Sequence, residues 1–134
     1  HSLTENAKII NITVPVSQEY WMPLAYVTSK AAQNAMTFAF GHQFKKDKSK
    51  KQIFAVMPGA VATDLNGAKV GDSPFVKSPE ETAQMISKFI FDDKNHNAQI
   101  INFDGTIYDN YEPGLRNKVI KDVAKNGLKR KFKK

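Results

Sequence analysis

The sequence predicts an α/β fold built on a parallel sheet, and three apolar segments carry that prediction. Residues 9–14, 52–57 and 98–103 are runs rich in apolar and β-branched side chains, which is typical of strands that are buried on both faces. Helical patterns separate these runs, and a strand, helix, strand order favours parallel pairing through a right-handed crossover. We therefore expect a Rossmann-like parallel sheet of three strands with crossover helices, in which the first two strands are adjacent.

Two helices are predicted between the strands. Residues 24–46 form a long pattern in which Ala and aromatic side chains appear on more than one face, so we expect this helix to be buried between the sheet and a partner helix. The second helix should begin after Ser78, which can cap it, with Pro79 in the first helical position and Glu81 completing a capping box. It should end near Asp92.

The charge divides the chain into a nearly neutral body and a basic tail. Of the 20 Lys and Arg and the 13 Asp and Glu, residues 113–134 hold nine cations and one acid, which leaves eleven cations and twelve acids, or −1, for residues 1–112. A length of 134 residues allows about one ordinary domain, so we assign residues 1–112 to one domain and residues 113–134 to a basic helix and tail. The tail has the charge to contact phosphates, but it has little aromatic interleaving. A solvated helix end without a nucleic-acid partner is the favoured interpretation.

Composition excludes several classes of site and location. The chain has no Cys, which excludes disulfides and thiolate metal sites and agrees with a reducing compartment. Its three His residues have no ligand spacing, so no metal is predicted. No apolar run approaches the ~20 residues that span a bilayer, and the N-terminus lacks the layout of a secretory signal. We expect a cytoplasmic protein without a membrane partner.

Tyr26 and Lys30 are the strongest candidates for chemistry. They stand four residues apart at the start of the predicted helix, so they share one helix face. Proton transfer to or from a substrate oxygen needs an acid or base beside that oxygen, and a free phenol is a weak acid at neutral pH. An ammonium group one turn away favours the phenolate electrostatically and makes the phenol a better acid. A Tyr and a Lys at this spacing are a weak signal by themselves, and an exposed helix pair is the alternative.

The order of motifs along the chain resembles the second half of a short-chain dehydrogenase/reductase, over roughly residues 7–106. The motifs, each of which follows a predicted strand, are Tyr26-Val27-Thr28-Ser29-Lys30, Pro58-Gly59-Ala60-Val61-Ala62-Thr63 and Asp104-Gly105. The resemblance implies an NAD(P)-dependent oxidoreductase that reduces a carbonyl or oxidises an alcohol by hydride transfer. A small carbonyl or alcohol would be its substrate, and helix 24–46 would build a homo-oligomer.

The same resemblance implies roles for individual residues. Tyr26 would be the general acid and base, and Lys30 would also bind the nicotinamide ribose. The turn after the second strand would hold the nicotinamide end of NAD or NADP through Pro58, Gly59, Val61 and Thr63. A plain turn after a strand is the alternative for that segment.

The hydroxyl that binds the substrate oxygen in this family lacks an obvious counterpart. Thr13 stands where counting back from Tyr26 places that hydroxyl. The family usually has two Ser residues where this chain has Thr13 and Val14, and direct alignment of the strands would put Val14 at the catalytic position. We assign Thr13 as the catalytic hydroxyl, with Ser17 as a weaker candidate in the following loop. Loss of a working hydroxyl is the competing interpretation.

The glycine-rich turn that binds the cofactor pyrophosphate in this family is missing from the 134 residues. Seven Gly residues are present, and none forms the fingerprint. We therefore expect a fragment of a longer enzyme, and we expect the chain by itself to be inactive and unable to bind NAD(P). An inactive half-domain that acts as a binding or assembly module is the alternative function.

Overall fold

A computed structural model describes residues 3–16, 23–65 and 67–108 of the chain. They form an α/β unit with the elements β1 (Lys8–Ile12), α1 (Leu24–Lys46), β2 (Gln52–Met57), α2 (Pro79–Ile90) and β3 (Ile100–Asn102). The basic tail at residues 113–134 and the alternative hydroxyl of Ser17 lie outside the described residues.

The three strands of the described residues form one parallel sheet in the order β1, β2, β3. Lys8 pairs with Gln52 at one end of the first ladder, and Ile12 pairs with Val56 at the other. The Thr13 amide donates to the Val56 carbonyl at 2.9 Å, which adds a hydrogen bond after β1 ends. The predicted fold class, a Rossmann-like parallel sheet, is confirmed, and so is the parallel pairing of the first two strands.

β2 is the centre of the core because a strand flanks it on each side. All its residues from Ile53 to Met57 are buried, which explains why this segment is continuously apolar. The predicted bounds of this strand agree with the structure at both ends.

The two faces of the sheet bury different side chains, as the alternation along a strand requires. The face toward α2 holds an apolar cluster made of Phe54, Val56 and Ile101, packed with Ile10, Ile86 and Phe89. The face toward α1 holds a smaller cluster made of Ala55, Met57 and Ile100, packed with Phe38 and Tyr108.

β3 is shorter than the strand predicted at residues 98–103. Ala98 has a φ of 60°, in the left-handed region that an L-residue normally avoids. The cause is tertiary: a Cβ on Gly41 of α1 would lie only 2.6 Å from the Ala98 Cβ, and Asn97 Nδ2 donates to the Gly41 carbonyl at 2.7 Å. Helix and turn meet at backbone distance, and the strand begins only at Ile100.

α1 has the predicted bounds, but its most buried side is polar rather than apolar. The residues that it buries are Asn34, Thr37 and Gly41, whereas Met36 and Phe40 are 45% and 50% exposed. The helix packs on the sheet through β2, as expected. The second expected contact, with a partner helix, stays a prediction.

α2 begins where the capping residues predict. Ser78 Oγ accepts a hydrogen bond from the Glu81 amide at 3.1 Å, and Pro79 occupies the first helical position. The helix ends at Ile90, slightly before the predicted end at Asp92.

Lys8 of β1 caps the end of α2. Its Nζ donates to the carbonyl oxygens of Ile90 at 3.1 Å and Asp92 at 2.7 Å. The last carbonyls of a helix have no partner within the helix, and a cation there also interacts favourably with the helix dipole. This contact ties the first strand to α2.

His96 lies in the turn before β3 and is buried there. Its Nε2 lies 2.9 Å from Asp92 Oδ2, and its Nδ1 lies 3.1 Å from Gln99 Oε1. The hydrogen bond from the His96 ring lowers the pKa of Asp92 below its ordinary value, against an opposing rise from burial.

Within residues 3–16, 23–65 and 67–108, no helix is long and apolar enough to cross a membrane. In the same ranges no three His, Asp or Glu side chains gather where they could hold a metal ion.

Candidate active site

Tyr26 and Lys30 lie together at the start of α1. Because the helix begins at Leu24, Tyr26 is in its first turn and Lys30 is in the next. The Lys30 Nζ lies 5.9 Å from the centroid of the Tyr26 ring, and both residues are half-buried. The spacing seen in the sequence therefore places the ammonium group and the phenol on one side of the helix.

The end of β1 holds the Lys30 ammonium group. Its Nζ donates to the Ile12 carbonyl at 2.7 Å and to Gln33 Oε1 at 3.3 Å. A free Lys side chain samples many rotamers. The hydrogen bond to the Ile12 carbonyl selects one of them and so fixes the position of the ammonium group. Since Ile12 is the last residue of β1, the strand and the helix together define the position of the ammonium group.

The Thr13 hydroxyl faces α1 but is engaged by another residue. Thr13 is fully buried, and its Oγ1 donates to Asn34 Oδ1 at 2.6 Å. Asn34 lies two helical turns beyond Tyr26, so this hydrogen bond does not lead to the phenol. The assignment of Thr13 as the hydroxyl that binds substrate stays a prediction.

The turn at residues 58–63 is fastened to the start of α2. The Lys77 amide donates to the Ala60 carbonyl at 3.0 Å, and the Ala62 amide donates to the Lys77 carbonyl at 2.9 Å. Thr63 at the end of the turn is exposed, and its carbonyl accepts from the Gly67 amide at 3.1 Å. The backbone of the turn is thus fixed, while the Thr63 side chain faces solvent.

Gly59 is required in this turn for two reasons. Its φ of 74° lies in the left-handed region, and a Cβ there would lie 3.1 Å from both Lys77 Nζ and Phe103 Cδ1. The Lys77 ammonium lies 3.8 Å from the centroid of the Phe103 ring, a cation–π contact. Lys77 and Phe103 therefore pack against Gly59 and leave no room for a side chain at this position of the turn.

The pair of Tyr26 and Lys30 and the 58–63 turn belong to the same end of the sheet. β1 and β2 are parallel neighbours; the pair is anchored at the end of β1, and the turn directly follows β2. Ligands of open α/β sheets bind outside the carboxyl ends of the strands. The fold thus gathers the predicted catalytic and cofactor-binding residues at the end where such ligands bind.

The turn after β3 is closed by Asp104. Its Oδ1 accepts hydrogen bonds from the Thr106 amide at 2.9 Å and from Thr106 Oγ1 at 2.7 Å, and these bonds lower the pKa of Asp104. The Asp104-Gly105 motif therefore has a structural role in this turn, with Gly105 at a φ of 89°.

Sequence reasoning missed Asn34, Lys77 and Phe103. A signal for Asn34 was present, because polar and small residues recur every three to four positions on one face of α1. That face holds Lys30, Asn34, Thr37 and Gly41. No comparable signal joins Lys77 to Phe103, since their contact depends on how the turn folds back on β3.

Two solved structures of carbonyl reductases resemble the chain, while no family profile and no curated protein sequence matches it. The NADPH-bound carbonyl reductase from chicken fatty liver has a TM-score of 0.64 and 22% identity, with 76% of this chain and 42% of that chain covered. The carbonyl reductase Sniffer of D. melanogaster has a TM-score of 0.57 and 28% identity, with coverage of 75% and 40%.

The chain therefore has the Rossmann-like α/β fold of these reductases. It spans about two fifths of the length of each of them. Proteins that share one fold differ in activity through the residues of their sites.

Proposed function

We propose that the chain is the catalytic half of an NAD(P)-dependent short-chain dehydrogenase/reductase that reduces a carbonyl or oxidises an alcohol. The observation that carries the proposal is the Lys30 ammonium, anchored on the Ile12 carbonyl at 2.7 Å and 5.9 Å from the Tyr26 ring centroid. This arrangement stands at the carboxyl end of a parallel sheet whose fold is that of two carbonyl reductases.

The chemistry assigned to these residues is proton transfer. Lys30 and Thr63 would hold the nicotinamide end of a bound cofactor, which would supply the hydride for the carbonyl carbon. The Tyr26 phenol donates its proton to the carbonyl oxygen, which balances the reaction to an alcohol and leaves a phenolate. The Lys30 ammonium stabilises that phenolate electrostatically, and the Ile12 carbonyl keeps the ammonium in place. In the direction of alcohol oxidation the phenolate accepts the proton.

The residues at this end of the sheet fit the nicotinamide end of the cofactor. Thr63 offers an exposed hydroxyl beyond a turn whose backbone is fixed by Lys77. Gly59 keeps that turn free of a side chain where Lys77 and Phe103 already fill the space. Together with Lys30 these groups can bind a carboxamide and a ribose, which are neutral and rich in hydrogen-bonding atoms.

The remaining cofactor contacts would come from an upstream half. The matches cover only 42% and 40% of the two reductases, and the sequence has no glycine-rich fingerprint. Each charge-assisted hydrogen bond to a phosphate contributes ~1.5–3 kcal/mol. The loss of a few such bonds lowers affinity by about a thousandfold. We therefore expect this chain alone to be inactive.

The binding of nucleotide by the chain alone is tested by titration of the 134 residues with NADH and with NADPH, followed by cofactor fluorescence. No saturation is expected at micromolar protein. Saturable micromolar binding of either nucleotide would show that these residues, or a second copy of them, complete a cofactor site without an upstream half.

The decisive experiment uses the complete protein, expressed from the reading frame that contains this chain. It should oxidise NADH or NADPH in the presence of small aldehydes and ketones. Tyr26→Phe should abolish nearly all turnover while leaving cofactor affinity largely intact. Tyr108→Phe is the matched control, because it also removes a Tyr hydroxyl, one that donates to the Val16 carbonyl at 3.5 Å and is not part of the Tyr26 and Lys30 pair. This variant should retain turnover. Equal turnover in Tyr26→Phe would refute the acid role.

The bond between Thr13 and Asn34 supports a second candidate function. It occupies the hydroxyl that would bind the substrate oxygen, as expected for an inactive half-domain that acts as a binding or assembly module. The turnover measurement separates the two candidates: a folded, complete protein that binds cofactor but shows no turnover with any carbonyl would favour the module.

We also propose that the protein is a cytoplasmic homo-oligomer that pairs through the outward side of α1. This side exposes Met36 and Phe40 by 45% and 50%, and exposed apolar patches of this kind mark interfaces. Light scattering of the complete protein should give a dimer or tetramer, and Phe40→Glu should give a monomer. Phe91→Glu, at a position 82% exposed beyond α2, should leave the assembly intact. A monomeric wild type at all usable concentrations would contradict the proposal.

A further inference from the structure

Asn34 is a buried polar residue in the middle of α1 that stability alone does not explain. Its side chain is fully buried. Its Oδ1 accepts from Thr13 Oγ1 at 2.6 Å, while its Nδ2 is buried without a hydrogen-bond partner. An unpaired buried donor destabilises a fold, and an aliphatic side chain of similar size would avoid that penalty. The residue therefore points to a role for its oxygen.

The Asn34 oxygen binds Thr13, the residue that follows β1. Thr13 directly follows the strand, with its amide bonded to the Val56 carbonyl at 2.9 Å. The preceding residue, Ile12, presents the carbonyl that accepts from Lys30 at 2.7 Å. Two consecutive residues at the strand end are thus held by two consecutive turns of α1, one through Lys30 and the other through Asn34.

We propose that Asn34 is a positioning residue for the pair of Tyr26 and Lys30. It holds Thr13, Thr13 fixes the direction of the Ile12 carbonyl, and that carbonyl fixes the ammonium beside the phenol. A Lys head without an anchor samples many rotamers, and a misplacement of about 1 Å at a catalytic site can lower a rate by on the order of 100-fold. The role rests on the proposed oxidoreductase function, and Asn34 itself touches neither substrate nor cofactor.

Thr37 provides a matched control on the same interface. Its Oγ1 accepts from Asn11 Nδ2 at 2.9 Å and donates to the Gln33 carbonyl at 2.9 Å. Thr37 is as fully buried as Asn34, but its partner Asn11 lies inside β1 rather than at the end. Removal of the Thr37 hydroxyl should lower stability without moving the Lys30 ammonium.

The first test follows the Lys30 ammonium protons in the 134-residue chain by NMR of isotope-labelled lysine side chains, with the signal assigned through Lys30→Arg. Asn34→Leu should speed the exchange of these protons about tenfold, as expected for the weakening of one hydrogen bond. Thr37→Val should lower the unfolding temperature and leave the exchange unchanged. Unchanged exchange in a folded Asn34→Leu would overturn the proposal.

Thr13 supplies a second route to the same answer if Asn34→Leu does not fold. Thr13→Val keeps the shape of the side chain and removes the hydroxyl that Asn34 binds, so it should speed the Lys30 exchange. Thr13→Ser keeps the hydroxyl and should restore slow exchange. Equal exchange rates in these two variants would count against the role of Asn34.

The second test measures turnover of the complete protein. Asn34→Leu should lower kcat about tenfold at an unchanged KM for the carbonyl substrate, as expected when the proton transfer in the transition state loses an interaction. Thr37→Val should keep the kcat of the wild type. Equal falls of kcat in the two variants would show a structural role only. A wild type without turnover would refute the oxidoreductase proposal, and the exchange measurement would still decide whether Asn34 positions Lys30.

Discussion

The two helices pack on the sheet through different contacts: an apolar cluster faces α2, whereas β1 also forms hydrogen bonds with α1. Against α2 the sheet buries an apolar cluster centred on Phe54. Against α1, β1 presents Asn11 and Thr13, which bond Thr37 and Asn34. Apolar burial is non-directional, whereas a hydrogen bond requires a set distance and angle. Both sides of the sheet bury apolar clusters, but the α1 side in addition fixes the strand end and the helix relative to each other through hydrogen bonds.

Each helix also has one buried polar side-chain atom without a hydrogen-bond partner among the described residues. The two atoms differ in whether their side chain forms another hydrogen bond. On α1 the atom is Asn34 Nδ2, on a side chain whose oxygen is already bonded; on α2 it is Thr82 Oγ1, on a side chain with no bond of its own. Replacement of Thr82 would remove no hydrogen bond of its hydroxyl, whereas replacement of Asn34 would remove the bond from Thr13.

Phe54→Ala should have the largest effect on the free energy of unfolding, because it removes the central side chain of the apolar cluster that faces α2. Phe54 is fully buried, and its ring centroid lies 5.4 Å from that of His96. Truncation of a core Phe lowers the free energy of unfolding by about 3–5 kcal/mol. Denaturant unfolding measures the loss, with Phe91→Ala as an exposed control that should stay within about 0.5 kcal/mol of the wild type. Similar losses in both variants would show that the buried Phe54 side chain is not a main source of stability.

Gly41→Ala tests the α1 side at its closest approach. In an exposed helix this change usually stabilises by about 1 kcal/mol. Here the new Cβ would lie 2.6 Å from the Ala98 Cβ and 2.9 Å from the Ala98 Cα and N, so the backbone has to move. We expect a loss of about 1–3 kcal/mol in the free energy of unfolding. Thermal unfolding checks the sign, and a raised midpoint would contradict the close contact.

The same substitution on the two helices should have opposite signs. Thr37→Val removes a hydroxyl that bonds Asn11 and Gln33, and it should lower the free energy of unfolding by about 1–2 kcal/mol. Thr82→Val removes a buried hydroxyl without a partner, and it should raise that free energy by up to about 1 kcal/mol. Paired denaturant curves measure both, and a loss in both variants would remove the distinction between the helices.

The smallest effect concerns acid, because Asp92 is partly exposed at the end of α2. The hydrogen bond from His96 lowers the pKa of Asp92 below its ordinary value of 3.8, so the folded state binds this proton less readily than the unfolded state. The stabilisation is present above that ordinary value and is lost as the pH falls through the folded pKa. Unfolding curves in acid should therefore show the difference between wild type and Asp92→Asn shrinking as the pH falls. A difference that does not change with pH would contradict this role of the contact.

Elements with local signals were predictable, and elements shaped by distant contacts were not. The continuous apolar run of β2 and the cap at Ser78 are read from neighbouring residues, and both agree with the structure. The late start of β3 depends on Ala98, whose backbone follows from the approach of Gly41. No pattern around Ala98 reports a helix that lies far away in the sequence.

The candidate site divides in the same way. The spacing of Tyr26 and Lys30 within one helix was enough to place them together. The bond of Thr13 to Asn34 depends on how a strand crosses a helix, which periodicity does not determine. The partner of Thr13 is decided by the packing of β1 against α1.

Lys8 has a consequence for the order in which the chain is made. Its ammonium leaves the ribosome before α2 does, and the carbonyls of Ile90 and Asp92 that it binds follow 82 and 84 residues later. At about 5–20 residues per second, the first strand waits roughly 4–16 s for the helix end that it caps. A nascent chain that has just released β2 can already pair its first two strands but still lacks those two acceptors. The emergence of α2 is therefore the moment in synthesis at which Lys8 acquires the two acceptors that join β1 to α2.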